Sequence, residues 1–342
     1  MKKEMSRLPK PRHSWGDLYR LVRTNAESNL LMTAIRWKIF DHLRYPTGAH
    51  EVANRLESHP RNTELFLNAL AGMGVINKEK ERFVNSESSE EVLVSNGPSY
   101  IGSFLLHVND WHEKVSVNID SLIKDGPPEQ SGEDMTDGAL WAESARLSAA
   151  YQYGGEAQHI ARIVSGLPEF PEMKRMLDLG GGAGFFTMAV VEAHPDMRGV
   201  VFEQPPVAAV AGEFIAKYAL ESRVSVMEGS YMADDLGGPY DFVFAGATLN
   251  FYRHALDALF KKIYDALNPG GVFMTHQDGL TDERTKPSYH VIEFLSVGLM
   301  GMDFGMDQGE IADAMLRAGF KTIRSFTKHS EIGDMDIDIA RK

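Results

Sequence analysis

Apolar positions along this chain keep a helical spacing at first and a strand-like one later. Between 18 and 43 the residues Leu18, Leu21, Val22, Leu30, Leu31, Ala34, Ile35, Ile39, Phe40 and Leu43 recur mostly three or four apart, which predicts one long helix. Pro46-Thr47-Gly48 stops it. Shorter helical segments follow at 51–56 and 63–73, the second after Pro60 and with Asn62 as its expected N-cap. Lys78-Glu79-Lys80-Glu81-Arg82 then makes a charged hairpin tip before Phe83-Val84. Helix, helix, hairpin is the order of a winged helix. Another helix is expected over 104–123, with His107 and Trp111 on one face. Residues 124–138 are rich in Gly, Pro, Asp and Glu without periodicity and read as an interdomain linker, followed by a helical pattern over 140–164.

From 174 the pattern changes to short apolar runs separated by helices. Strands are expected at 176–179, 200–203, 224–227, 241–245 and 272–275, with helices at 185–193, 207–220 and 255–267. An irregular Met-rich stretch precedes a helix at 310–318. Strands at 321–326 and 335–340 close the chain, the second strictly alternating Met335, Ile337 and Ile339 with Asp336 and Asp338. Strand and helix in alternation predict an α/β fold, a mostly parallel doubly wound sheet. The last two runs have no helix between them, so the final strand is expected to be antiparallel. Two domains follow, 1–135 and 136–342.

The 342 residues carry 35 Lys and Arg against 48 Asp and Glu, a net charge of −13. That balance repels phosphate backbones and anionic lipid, so neither nucleic acid nor membrane is an expected partner. Residues 46–100 hold more Glu than Lys and Arg, which argues against a DNA-reading module. There are no cysteines, which removes disulfides, thiolate metal sites and Cys nucleophiles. The basic start leads into no apolar signal core and no stretch approaches a bilayer span, so a cytoplasmic protein is expected.

The chemistry centres on Asp178-Leu179-Gly180-Gly181-Gly182-Ala183-Gly184, between the first strand of the second domain and its helix. Glycines there let a ligand approach the backbone where a Cβ would block it. No frame gives G-x-G-x-x-G, and no Gly-Lys-Ser/Thr follows, so dinucleotide and P-loop readings both fail. The spacing is D-x-G-x-G-x-G, and its Asp suits a ligand bearing an ammonium group. Glu203, at the end of the second strand, is placed to accept from ribose hydroxyls.

These segments, with Val201-Phe202-Glu203-Gln204-Pro205-Pro206-Val207, Glu228-Gly229-Ser230-Tyr231-Met232 and Leu267-Asn268-Pro269-Gly270-Gly271, resemble the hydroxyindole/caffeate-type O-methyltransferases. Acetylserotonin O-methyltransferase belongs to that class I family. The resemblance implies an N-terminal winged-helix dimerisation domain, a Rossmann-like methyltransferase domain, a homodimer and a small-molecule methyl acceptor. It implies S-adenosylmethionine as cofactor: its amino-acid end over Gly180, Gly181, Gly182 and Gly184, Glu203 and Gln204 near the ribose, and Gly229, Ser230 and Tyr231 beside the adenine. The family usually has Asp where Ser230 stands. Tyr151 and Tyr153 are positioned to cover the cofactor.

The catalytic position departs from the pattern. The family places a general base, His, in a Leu-His-Asp-Trp-like tetrapeptide after the fourth strand; here Leu249-Asn250-Phe251-Tyr252 stands there. Asn250 can orient a substrate but cannot take its proton. Gly305-Met306-Asp307-Gln308 lacks the Glu that partners the family's His, leaving Asp303 or Asp307 as substitutes. Replacement bases are His254, His276, His290 and Asp278, of which His276 and Asp278 sit nearest a strand's carboxyl end. His276-x-Asp278 supplies too few ligands for a metal, so none is expected. The alternatives are an acceptor that needs no base (a thioether, an amine, an aromatic carbon or an ionised oxygen) and, since the resemblance extends to such members, a chain that binds the cofactor without transferring methyl. Phe294, Leu295, Leu299, Met300, Met302, Phe304 and Met306 are expected to line an apolar substrate pocket between the domains.

Overall fold

The computed structural model describes residues 12–128 and 138–342, and its packing divides the chain after Leu106. The linker boundary read at 135 lies outside the described residues. In the first unit α1 (Gly16–Arg36) ends at Trp37, and Lys38 in the left-handed region leads to a 3₁₀ turn at Ile39–His42. β1 (Thr47–Gly48), α2 (Ala49–Arg55), α3 (Pro60–Gly72), β2 (Ile76–Glu79), β3 (Arg82–Asn85) and α4 (Glu87–Val92) follow. The three strands form an antiparallel sheet in the order β1-β3-β2. Ile35, Phe40, Leu43, Val52, Leu67, Leu70 and Phe83 close the core. Pro60 takes the first turn of α3, where its missing N–H costs nothing, and the cap is His59 rather than Asn62. His59 Nδ1 accepts the Asn62 N–H at 3.4 Å.

The helix expected over 104–123 is two, α5 (Gly102–Ser116) and α6 (Ile119–Asp125), interrupted at 117–118. The second unit continues with α7 (Gly138–Tyr151), a π-turn at Gln152–Glu156 and α8 (Ala157–Ser165). Gly155 at φ 139° absorbs the extra residue of that turn. β4 (Arg175–Leu179), α9 (Phe185–Glu192), β5 (Arg198–Glu203), α10 (Pro205–Lys217), β6 (Val224–Glu228), β7 (Tyr240–Gly246), α11 (Leu256–Ala266), β8 (Leu267–Gln277), α12 (Ser288–Leu299), α13 (Glu310–Ala318), β9 (Thr322–Ser330) and β10 (Gly333–Arg341) complete it.

The seven strands run in the order β6-β5-β4-β7-β8-β10-β9. Every neighbouring pair from β6 to β8 is parallel, and β10, the last in the chain, is antiparallel to both its neighbours. The order turns back between β4 and β7, the place where an open α/β sheet leaves a crevice beyond its strand ends. The sheet is buried on both faces: Met176 of β4 joins one apolar cluster, and Leu177 and Leu179 join the other. On β10, Met335, Ile337 and Ile339 are buried as the alternation predicts. Asp338 is buried too, accepting from Ser325 Oγ. α12 occupies part of the stretch read as irregular.

Candidate active site

The glycine loop is shaped by what lies under it. Gly180 at φ 66° donates its N–H to Phe202 O at 2.9 Å, and a Cβ there would strike Thr248 Oγ1. That hydroxyl is bonded to Tyr231 OH at 2.7 Å, so loop, β7 end and β6 end share one contact. A Cβ on Gly181 would meet the Asp178 carboxyl at 2.7 Å and Val201 at 2.9 Å. Gly182 at φ 56° has open space where its Cβ would be, and Gly184 at φ 82° caps α9.

Asp178 is the floor beneath this loop, not part of the cavity above it. It is fully buried; Oδ2 accepts from Thr187 Oγ1 at 2.7 Å and Oδ1 has no partner. Burial first, and Glu203 next to it, push the carboxyl up to about 7 against the Thr187 hydrogen bond. Glu203 ends β5 with Oε1 accepting the Gly182 N–H at 3.1 Å and Oε2 the Gln204 N–H at 3.0 Å. Burial raises it, and those two amides oppose the shift.

A cavity of about 850 Å³ opens over the loop, near the upper end for small-molecule sites. It collects Gly180, Gly181, Gly182, Glu203, Gln204, Gly229, Ser230 and Tyr231 from the expected cofactor set. Where the family's Asp gives way to Ser230, the Ser230 N–H donates to Asp234 Oδ2 at 2.8 Å, so a carboxylate still organises that corner. One face of α7 and the π-turn supplies the facing wall with Trp141, Ser144, Ser148, Tyr151 and Gln152. The sequence reading missed four of these; their three- and four-residue spacing, with small and polar residues where a core face would carry Leu, was the available signal. Tyr153 instead packs on Phe185, ring centroids 5.4 Å apart.

The expected catalytic residues do not meet at this cavity. Thr248, Phe251 and Tyr252 line it and Asn250 does not, although Asn250 Oδ1 is buried without a partner. His254 is exposed. His276, 1% exposed, turns to Glu156: Nε2 lies 3.1 Å from Oε1, off the hydrogen-bond direction. Glu156 also takes Lys328 Nζ at 2.5 Å and Ser330 Oγ at 2.9 Å. Asp278 is buried against Gln277, whose Nε2 donates to Oδ1 at 2.5 Å, and burial raises its carboxyl. His290 bonds Asp334 O at 2.7 Å.

Met302 and Phe304 line the cavity; Phe294 and Met300 do not. Asp303 is held by Arg253 at 2.9 Å and Arg284 at 2.7 Å, and Arg253 also binds Asp307 and Glu310, so neither Asp is free to partner a base. Trp141, Phe251 and Phe304 make a run of edge-to-face rings with centroids 5.0 and 4.9 Å apart. Among the described residues lining the cavity, Glu203 is the one carboxylate, and none is Lys, Arg, His or Asp. No three His, Asp or Glu side chains among the described residues are arranged to hold a metal ion.

These residues fit S-adenosylmethionine. The open side of Gly182 admits a ligand against the backbone, and Glu203 can accept from ribose hydroxyls. Tyr231 lines the same cavity beside Gly229 and Ser230.

Comparison with known proteins agrees. Residues 144–321 match the model of the O-methyltransferase domain and residues 19–95 that of the O-methyltransferase dimerisation domain. The chain is similar to the N,N-dimethyltransferase OxyT of Streptomyces rimosus, 28% identical over 93% of this chain and 94% of that one. It is also similar to the tetracenomycin polyketide synthesis 8-O-methyl transferase TcmO of Streptomyces glaucescens, 25% identical over 91% and 92%. Its fold matches human N-acetylserotonin methyltransferase in complex with S-adenosylmethionine, with TM-score 0.77, 18% identity, and coverage of 98% and 99%. The chain therefore belongs to the O-methyltransferase family and is an S-adenosylmethionine-dependent methyltransferase acting on a small molecule.

Proposed function

We propose that this enzyme methylates an amine nitrogen of a flat, apolar small molecule, an acceptor that needs no protein base. The observation that carries this reading is the cavity wall, which among the described residues offers aromatic rings and hydroxyls but no His, Lys or Asp. Bound S-adenosylmethionine supplies a methyl group already activated on a sulfonium. The protein's task is then to hold the acceptor in line at about 3–3.5 Å. The acceptor nitrogen would become cationic as it takes the methyl group and the bond from that methyl to sulfur breaks, and Trp141, Phe251 and Phe304 in the cavity wall are the rings that would favour a cation there. The methylated ammonium returns its proton to water after release. That OxyT is an N,N-dimethyltransferase supports the amine among the base-free acceptors.

Matched aromatic amine and phenol acceptors test this. The amine should turn over with a kcat that follows only its own protonation. Methylation of the neutral phenol with a kcat governed by an enzyme group would overturn the reading, because a positioned base contributes about 10²–10⁴-fold.

At the level of the molecule we infer a homodimer through residues 19–95, a winged-helix arrangement in the first unit and a cytoplasmic enzyme with no nucleic-acid or membrane partner. The dimerisation-domain match, the helix-helix-hairpin order and the net charge of −13 support these. No helix of the described residues is long and apolar enough to cross a membrane.

A further inference from the structure

Asp178, the acidic residue expected to meet the ligand's ammonium, lies under the loop and carries a partly protonated carboxyl near neutral pH. The cavity therefore needs another acceptor near the loop. Gln152 stands in the wall at the point where α7 gives way to the π-turn. It is only 8% exposed, and its Oε1 is buried without a hydrogen-bond partner. Its amide favours the ionised form of the neighbouring Tyr151 phenol against the effect of burial, as an N–H turned toward that oxygen does, and the carbonyl oxygen is the group left uncommitted. An unpaired buried carbonyl is costly to keep, so its retention in a cavity wall points to a donor supplied by a ligand.

The π-turn packs against α9, the helix that begins where the glycine loop ends. Gln152 shares the cavity with Gly181, Gly182, Ala183 and Phe186, the loop and first turn of that helix. A helix N-terminus favours a carboxylate, which leaves the neighbouring ammonium of an amino-acid moiety in need of an acceptor. A π-turn is also a common way to re-aim one side chain into a site. We propose that Gln152 Oε1 accepts a hydrogen bond from the α-ammonium of bound S-adenosylmethionine, and so is a positioning residue that fixes the methyl donor's amino-acid end. The proposal rests on the family's cofactor and is independent of which acceptor atom is methylated.

Calorimetry on the full-length protein, with no turnover involved, tests it. Three probes are used: S-adenosylhomocysteine, its analogue lacking the α-amino group, and 5′-methylthioadenosine, which lacks the amino-acid moiety. The wild type should bind S-adenosylhomocysteine about ten- to a hundredfold more tightly than the deamino analogue, the range for a hydrogen bond to a charged group. In Gln152→Met that preference should shrink to about twofold or less, while affinity for 5′-methylthioadenosine stays unchanged and so reports an intact fold. Equal binding of the first two probes by the wild type overturns the proposal without any variant. So does equal weakening of all three probes in Gln152→Met, which would make the role structural. Unchanged cofactor binding with a raised KM for the methyl acceptor would place the carbonyl on the acceptor instead, and also overturns it. Failure of the wild type to bind any of the three probes would count against the family reading rather than against Gln152.

Discussion

Asp178 carries its carboxyl where water does not reach, and that sets when it ionises. The unfolded group gives up its proton near pH 4 and the folded one near about 7. Between those values the folded chain holds more protons, so this residue's contribution to stability falls as pH rises and levels off above about 7. The full swing is at most about 4 kcal/mol, at roughly 1.4 kcal/mol per pH unit. Asp178→Asn should keep an acceptor for Thr187 and lose that slope, so the urea midpoints of wild type and variant should converge toward pH 4 and separate toward pH 8. Parallel curves would mean the carboxyl ionises normally. The loop glycines divide by the same local logic. Gly181→Ala drives a Cβ into the Asp178 carboxyl and Val201, neither of which is a flexible tip, and should cost about 1–3 kcal/mol of stability. Gly182→Val meets open space in the protein, so beyond about 1–2 kcal/mol of backbone strain it should act mainly on calorimetric binding of S-adenosylmethionine, which it should abolish.

Elements were legible where one period ran without interruption. The parallel strands showed as short apolar runs, the first of them ending in glycines, and β10 showed as strict alternation with its aspartates. α12 was hidden because Val291, Ile292, Phe294, Leu295 and Val297 leave too little polar contrast to reveal a helical face. The helical pattern over 140–164 hides the break between α7 and α8 because a single-residue insertion barely disturbs the period; Gly154-Gly155 is the visible trace of the π-turn. The misplaced bases have a related cause. β8 runs on through Gln277, two residues beyond the expected end, so His276 remains a strand residue paired with Ile337 and turns to Glu156 instead of the crevice. Burial works to raise the Glu156 carboxyl, but the contacts from His276 and Lys328 outweigh it and hold it at about 2. Lys328→Met would strand that carboxylate, and breaking a buried pair costs about 3–5 kcal/mol. In chemical denaturation the loss should be largest near pH 7 and shrink toward pH 4, as the lone carboxyl takes up a proton. A loss that does not change with pH would assign Lys328 to packing alone.

For the whole molecule, the first half of α1 poses a question that its own unit does not answer. Trp15, Leu18, Tyr19, Leu21 and Val22 fall within eight residues and are all exposed, Leu18 and Val22 to 68% and 70%. Further along the helix Met32, Ala34 and Ile35 are buried in the core. Scattered exposed apolar residues are ordinary, but a concentration of this kind marks an interaction surface. The net charge of −13 makes general self-association unfavourable, so contact between copies has to come from a local apolar surface. The proposed homodimer is expected to bury this part of α1, and light scattering should then give twice the 38.0 kDa chain mass at micromolar concentration. Leu18→Glu with Val22→Glu places two charges on that surface and should shift the protein toward monomer without touching the buried core. Because association stabilises only the folded chain, the wild type's Tm should climb with protein concentration and the double variant's should not. A wild type that stays monomeric at tens of micromolar would refute the homodimer, and a double variant that stays dimeric would move the interface off this half of α1.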